Sequence, residues 1–406
     1  MKFFKERLGM QFSTRWTILG VGFVLLATSF AYRNLLQLTM TGMEADLGWS
    51  RSLVSSGATL ALIAMAAGNL FGGMLVDRYG PRMLLACGLL ALGIGMLGVA
   101  FTRSAWLYVL MYGAFAGLGF GLLATSVVSA AVARFFVERR GFALGIASAG
   151  GPVGQMVLIP LAAMLLTTLG WRALFAIAGG AALALAPLAS WFLRPADQPA
   201  AGGAKRPGIA ADFGYLVRSP VFHLLFWGFF ICGFTSIGVI ETHFVPYAML
   251  CGFSPGTSAN AFGFLSVLNL AGILLAGWLA DRMNRVLLLA GIYAARGLTF
   301  ILLLGIADNT AMLFTFSGLY GLFDYATIPV VASLVASHLG MRVMGFSMGL
   351  IAMAHQLGAA LGAIGGGVVF DIYSSYTALW MMSLVLAVIA ALLSVGIRRE
   401  PAAQPA

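Results

Sequence analysis

Seven ionisable side chains interrupt otherwise apolar stretches of this 406-residue sequence: Arg33, Glu241, Arg296 and Asp324, with His223, His243 and His355. Charge in apolar surroundings is costly, so each of these residues needs a partner or a task. Arg33, in Tyr32-Arg33-Asn34, carries a planar guanidinium that can hold a carboxylate by two parallel hydrogen bonds. It could contact a bound anion, or it could pair with Glu241 as a gate. Asp324 and Glu241 are the carboxylates in these stretches that could carry a proton. Asp324 and Arg296 could equally form a structural ion pair between neighbouring helices. The imidazole of His355 could bind an anion, carry a proton near neutral pH or pack through a hydrogen bond. His243 and His223 are expected nearer the two surfaces. Asn69, Tyr112, Gln155, Asn269 and Tyr325 add neutral hydrogen-bonding or aromatic groups.

These residues are positioned by elements that must lie in lipid. Hydrophobic residues make up 61% of the chain and charged ones 9%, too apolar for a soluble domain. A span needs about 20 mostly apolar residues. Such stretches fall near 16–38, 53–76, 83–101, 106–133, 141–166 and 171–193, then 221–249, 258–280, 286–306, 311–336, 343–368 and 376–397. The reading is an all-α membrane protein with twelve transmembrane helices. It divides into a bundle at 1–193, a Pro-, Ala- and Gly-rich cytoplasmic linker at 194–220, and a second bundle at 221–406. The start of the chain reads as a retained first helix.

The net charge of +10 reports topology. Eighteen of the 23 Lys and Arg residues fall in alternate loops and the termini, while Arg51, Arg103 and Arg172 fall on the opposite side. Cations are retained in the cytoplasm, so both termini are expected inside a bacterial inner membrane. No contiguous basic face points to nucleic acid. Cys87, Cys232 and Cys251 lack metal-ligand spacing and read as packing residues. No catalytic constellation converges, so neither an enzyme nor a cofactor or metal is expected.

An internal repeat holds one offset, 204 residues, along the chain. Gly73-Met-Leu75-Val-Asp77-Arg78 recurs as Gly277-Trp-Leu279-Ala-Asp281-Arg282, Gly48-Trp49-Ser50 as Gly252-Phe253-Ser254, and Gly141-Phe142 with Gly145 as Gly345-Phe346 with Gly349. A duplicated six-helix unit is characteristic of secondary transporters, whose sites lie near the midplane at the repeat interface. The same offset maps Gln37 onto Glu241 and places Glu241 on the face of helix seven toward helix one, about a turn from Arg33.

The stretch Gly73 to Arg82, through Asp77, Arg78 and Gly80-Pro81-Arg82, resembles the signature between helices two and three of the major facilitator superfamily, and Gly277 to Arg285 resembles its second copy. The resemblance implies the major facilitator fold, two pseudo-symmetric six-helix bundles that alternate access to a central cavity, with Asp77, Arg78, Arg82, Asp281 and Arg282 in gating. Ala133 to Gly141, Gly145 to Gly150 and Thr242-His243-Phe-Val-Pro246-Tyr247 resemble bacterial relatives of the monocarboxylate and oxalate/formate carriers. Those carriers hold charge on helix eight, whereas Asn269 to Trp278 contains none here. Gly150-Gly151-Pro152-Val-Gly154 resembles a motif of proton-driven exporters and reads as a helix bend.

The resulting expectation is a monomeric secondary transporter of a small organic anion, a monocarboxylate above all, with proton symport. Its candidate substrate contacts are Arg33, Tyr32, Asn34, Tyr112, Gln155, Asn269, Tyr325 and His355. Proton coupling falls to Asp324, Glu241 and Arg296. A proton-coupled drug or metabolite exporter and a non-transporting membrane sensor are the competing readings.

Overall fold

The computed structural model describes residues 2–133, 136, 140–193, 209–307, 309–340 and 342–397; at 2–14, 69–70, 72–78, 126, 129–130, 133, 140–142 and 209–210 it describes the backbone alone. The described residues are helical throughout, without strands. Among the described residues, eleven segments are long and apolar enough to cross a bilayer. One of them, Ala143–Phe192, has 50 residues and would extend about 75 Å, against a hydrocarbon core of about 30 Å. Gly170 interrupts it with φ 77° and ψ 171°, so this segment is two crossings and the spans number twelve.

In chain order these are α1 (Lys2–Leu47), α2 (Arg51–Tyr79), α3 (Pro81–Phe101), α4 (105–133, in several pieces), α5 (140–169) and α6 (171–192). The second set is α7 (Pro220–Leu250), α8 (Pro255–Ala280), α9 (Arg285–Leu303), α10 (Thr310–His338, with a break at Tyr325 and Ala326), α11 (Met344–Tyr373) and α12 (Thr377–Val395). Several run past the apolar stretches that announce them. A helix leaving the bilayer keeps its own hydrogen bonds after its composition turns polar, so hydropathy marks the membrane and not the helix end.

The repeat is visible in helix termini. Gly48 and Gly252 both have positive φ, 66° and 95°, which L side chains resist. Each ends an odd-numbered helix, and the Ser two residues on caps the next: Ser50 Oγ accepts from Leu53 N–H at 3.2 Å, and Ser254 Oγ from Thr257 N–H at 3.1 Å. Inside the bundles, α1 lies against α5 and α7 against α11 at glycine contacts. A Cβ on Gly154 would strike the carbonyl oxygen of Ala27, and one on Gly358 that of Phe230. The exporter-like Gly150 to Gly154 stretch is thus a close approach of α5 to α1.

The two sets meet along α2 with α11 and α5 with α8, pairs related by the repeat. Gly367 faces Ser52 and Ser55, while Gly263 faces Met156 O and Pro160. The ends of α1 and α7 that precede Gly48 and Gly252 define the far end of the molecule; the start of α1 and the end of α12 lie at the other. A polar network joins the sets at the far end. Asp371, on α11, accepts the backbone N–H of Arg51 at 3.0 Å and of Ser52 at 2.9 Å, capping α2 from the other half. The Arg51 guanidinium donates to Glu44 at 2.6 and 2.5 Å and to Tyr376 Oη at 3.0 Å, and lies 3.8 Å over the Phe370 ring. His243 continues the network to Tyr376 Oη at 3.1 Å and Ala363 O at 2.9 Å. His243 lies toward the far end, as expected, and its side chain is fully buried within this network.

The stretch 194–220 is not linker throughout. Ile209–Arg218 is helical, with Asp212 in its first turn and Arg218 in its last, the placement that complements the helix dipole. Asp212 pairs with Arg342 at 3.1 Å, and Tyr215 Oη donates to Leu339 O at 3.4 Å. Pro and Gly crowd only the part before Ile209.

Two measurements check this packing. Gly358→Ala is expected to cost about 1–3 kcal/mol through overpacking, whereas Gly365→Ala, where a Cβ meets open space, should be neutral or gain up to about 1 kcal/mol in helix propensity; unfolding in detergent compares them. Asp371→Ala removes the cap that α2 receives, worth about 1 kcal/mol, and should raise the population open at the far end about fivefold, read as a spin-label distance between positions 104 and 307.

Candidate functional site

Midway between the far end and the centre, α1, α2, α4 and α7 enclose a pocket with ≈ 350 Å³ of atom-free space counting its mouth. Its polar wall is Arg33, Gln37, Tyr112, Glu241 and Thr242; Ala58, Ala61, Leu62 and Met65 of α2 make the apolar wall. Positions 33 and 37 on α1 and their repeat equivalents, 237 and 241 on α7, all line it. The duplication thus builds one pocket from the same helical face used twice.

Arg33 and Glu241 form the ion pair across it, Nη2 to Oε2 at 2.5 Å, with side chains 11% and 5% exposed. The other carboxylate oxygen, Oε1, accepts from Tyr325 Oη at 2.9 Å. Tyr112 Oη donates to the backbone carbonyl of Arg33 at 3.0 Å, and the guanidinium lies 4.9 Å from the Phe30 ring centre. Arg33 Nε and Gln37 Oε1 are buried without a hydrogen-bond partner among the described residues. Gln37 is held from its other end, Nε2 donating to Asn34 Oδ1 at 2.8 Å, and Asn34 donates to Phe30 O at 2.9 Å. Asn34 therefore supports Gln37, and neither it nor Tyr32 lines the pocket.

Irregular helices position these groups. Val109–Ala116, which carries Tyr112, and Phe234–Ile240, which leads into Glu241, are π-helical, a geometry frequent at functional sites. α4 breaks at Leu123 and Ala124, and α10 breaks at Tyr325 and Ala326. The second break turns Tyr325 toward Glu241.

A second ion pair lies wholly inside the second set of helices. Arg296 Nη1 is 3.4 Å from Asp324 Oδ1, with side chains 0% and 2% exposed. The same guanidinium donates to Cys232 Sγ at 3.1 Å and Thr235 Oγ1 at 3.0 Å, and stands 5.3 Å from the Tyr293 ring centre. Cys232, read from sequence as packing, is thus also a polar contact of Arg296. Asp324 does not line the pocket.

The remaining expected residues are dispersed. Gln155 Oε1 accepts from Ser266 Oγ at 3.3 Å at the α5–α8 contact, near Asn269, and both amides keep one unpartnered atom. His355 Nε2 is 3.4 Å from Ser236 Oγ, its ring 4.8 Å from that of Phe229. His223 is exposed and reaches Val217 O at 2.7 Å. Arg282 turns back on its own helix, donating to Trp278 O at 3.1 Å and stacking 4.2 Å from that ring, while Arg285 donates to Ala280 O at 3.2 Å. Asp281 is exposed at the end of α8 and Arg82 half-buried in the first turn of α3. The side chains of Asn69, Asp77 and Arg78, and most of the Arg134 to Arg139 stretch, lie outside the described residues.

Sequence reasoning passed over Gln37 as a pocket residue, although the repeat that located Glu241 pointed to it. Arg51, Glu44, Asp371 and Tyr376 were also missed, because charges beside a loop read as solvated.

Residues 19–363 and 252–406 match the Major Facilitator Superfamily. The uncharacterized MFS-type transporter YcxA of Bacillus subtilis (strain 168) is 27% identical over 370 residues, covering 89% of this chain and 90% of that protein. Monocarboxylate transporter 13 of Bos taurus is 26% identical over 337 residues, 80% of this chain and 76% of its own. The oxalate:formate antiporter of Oxalobacter formigenes is 27% identical over 365 residues, 86% and 84% respectively. Among solved structures, a bacterial homolog of the human lysosomal transporter Spinster, inward-facing and unoccupied, superposes with a TM-score of 0.74 at 15% identity over 94% of this chain and 96% of that one. A twelve-span, duplicated helical architecture around a pocket between its halves, matched over most of its length, makes this chain a member of the Major Facilitator Superfamily.

Proposed function

We propose that the chain is a proton-coupled symporter of a small monocarboxylate, working as a monomer by alternating access between bundles at 1–193 and 221–406. The observation that carries this reading is the Arg33–Glu241 pair, which bridges the two bundles inside a pocket with one polar and one apolar wall. Arg33 is the single cation in that lining. One guanidinium can neutralise one carboxylate, and the α2 wall offers an apolar tail a dry surface. A dicarboxylate would leave its second charge unpaired and buried. The similarity to monocarboxylate transporter 13 supports the same substrate class.

The same pair supports a coupling scheme. A substrate carboxylate that takes the Arg33 guanidinium must displace Glu241. A buried carboxylate stripped of its counter-ion is costly, so Glu241 takes up a proton while keeping its hydrogen bond from Tyr325. Anion and proton thereby enter together. Because Arg33 and Glu241 belong to opposite bundles, the exchange also loosens the tie between them at the far end, which biases a rocking transition. The Lys and Arg asymmetry supports a topology with the linker and both termini in the cytoplasm of a bacterial inner membrane and the far end outside.

Arg33→Ala is expected to weaken monocarboxylate binding about 10- to 100-fold, the worth of charge-assisted hydrogen bonds at roughly 1.5–3 kcal/mol each. Arg33→Lys keeps the charge without the planar fork and should fall between. Competition by butyrate, pyruvate and oxalate in proteoliposomes measures this, and oxalate should compete least. Equal affinity in a correctly inserted Arg33→Ala protein would rule the anion contact out. The two carboxylates should separate in the same assay. Glu241→Gln is expected to abolish the acceleration of uptake by external acid. Asp324→Asn should keep that response and lower stability by about 3–5 kcal/mol, since it strands Arg296 in the core. The reverse pattern would move the proton to Asp324.

A further inference from the structure

Glu241 follows directly on the π-helical segment Phe234–Ile240. A π turn inserts one residue into a helix, so every side chain beyond it is rotated by about 100° relative to a continuous α-helix. The direction in which Glu241 points is therefore set by whether that turn is held. Thr242 Oγ1 donates five residues back to Ile237 O at 3.0 Å, across the same widened turn. At the start of the segment two groups from other helices grip Thr235. Arg296 of α9 donates to its hydroxyl at 3.0 Å, and Tyr320 of α10 donates to its backbone carbonyl at 3.1 Å. Arg296, Thr235 and Tyr320 are all completely buried.

The same guanidinium reaches the other support of Glu241. Arg296 pairs with Asp324, the last residue of the first piece of α10, and the next residue, Tyr325, donates to Glu241 Oε1 at 2.9 Å. One buried cation thus contacts both the turn that aims Glu241 and the break that places its hydrogen-bond donor. A charge fully enclosed on α9, away from the pocket, is expensive if it serves packing alone.

We infer that Arg296, Thr235 and Tyr320 are positioning residues that hold the π turn of α7 and so aim Glu241 at Arg33. The inference rests on the role given to Glu241 above, and its test separates the two. With Cys87 and Cys251 changed to Ala and the buried Cys232 retained, Arg33→Cys and Glu241→Cys are introduced together and bridged with a short bis-methanethiosulfonate reagent. Tyr320→Phe and Thr235→Val are each expected to slow bridging at least fivefold, whereas Thr235→Ser, which keeps the hydroxyl, restores the rate. Unchanged bridging in Thr235→Val and Tyr320→Phe proteins that elute as folded monomers overturns the inference. If Tyr320→Phe does not fold, the contrast between Thr235→Val and Thr235→Ser decides by the same rule. In the chain with Arg33 and Glu241 intact, Tyr320→Phe should blunt acid-stimulated butyrate uptake, and adding Glu241→Gln should remove nothing further than Glu241→Gln removes alone. Slowed bridging with an intact acid response would leave the positioning role standing and refute the coupling role of Glu241.

Discussion

A guanidinium and a carboxylate facing each other across two helical bundles, deep in an apolar protein, constrain the rest of this molecule. Neither Arg33 nor Glu241 can be buried without the other or a replacement for it, since an unpaired charge there costs several kcal/mol. The pair is accordingly surrounded by groups that fix its geometry. Tyr325 satisfies the second carboxylate oxygen, and Tyr112 ties the backbone of Arg33 to α4. Arg33 Nε and Gln37 Oε1, on two residues that line the pocket, have no hydrogen-bond partner among the described residues, leaving one donor and one acceptor in its polar wall. The proposed substrate, a small monocarboxylate, has the matching polarity, one charged end and one apolar end.

In the proposed cycle the pair breaks and re-forms, and that needs helices that are stiff around it. Glycines let α1 meet α5, and α7 meet α11, backbone to backbone, so each bundle packs as a dense body and transmits displacement without absorbing it. Irregularity gathers where the site is built. The π segment of α4 carries Tyr112, that of α7 runs directly into Glu241, and the break in α10 holds Tyr325. Backbone polar groups freed at such places must find partners in lipid. Tyr320 on Thr235 O is one such partner.

The Arg33–Glu241 and Arg296–Asp324 pairs differ in location. Arg33–Glu241 spans the bundles and borders the pocket, so its energy depends on their relative position. Arg296–Asp324 stays inside one bundle, with Cys232 and Thr235 sharing the guanidinium, so its energy is unchanged by rigid-body motion. At the far end, Asp371 caps α2 in trans and Arg51 stacks on Phe370. This interaction holds only while the ends of α2 and α11 are together.

Membrane residence, twelve spans and the duplication are determined by the sequence itself. Each rests on a property that local composition must carry: apolar runs long enough to cross lipid, Lys and Arg in alternate loops, and one offset shared by Gly48, Asp77 and Gly141 with Gly252, Asp281 and Gly345. The same offset put Glu241 on the face toward α1. Other features depend on non-local contacts and were decided only by the tertiary structure. Whether Asp324 borders the pocket or Arg296 depends on how α10 breaks, and helical periodicity cannot report a π turn that rotates the residues beyond it. Arg51 and His243 looked peripheral because distance from a loop is legible along a chain, while burial beneath Phe370 and Tyr376 is not. The helix Ile209–Arg218 was hidden by the Pro and Gly residues before it. Charge is written in the sequence; which charge neutralises which is fixed only when helices some 200 residues apart are brought to hydrogen-bonding distance, as Arg33 and Glu241 are.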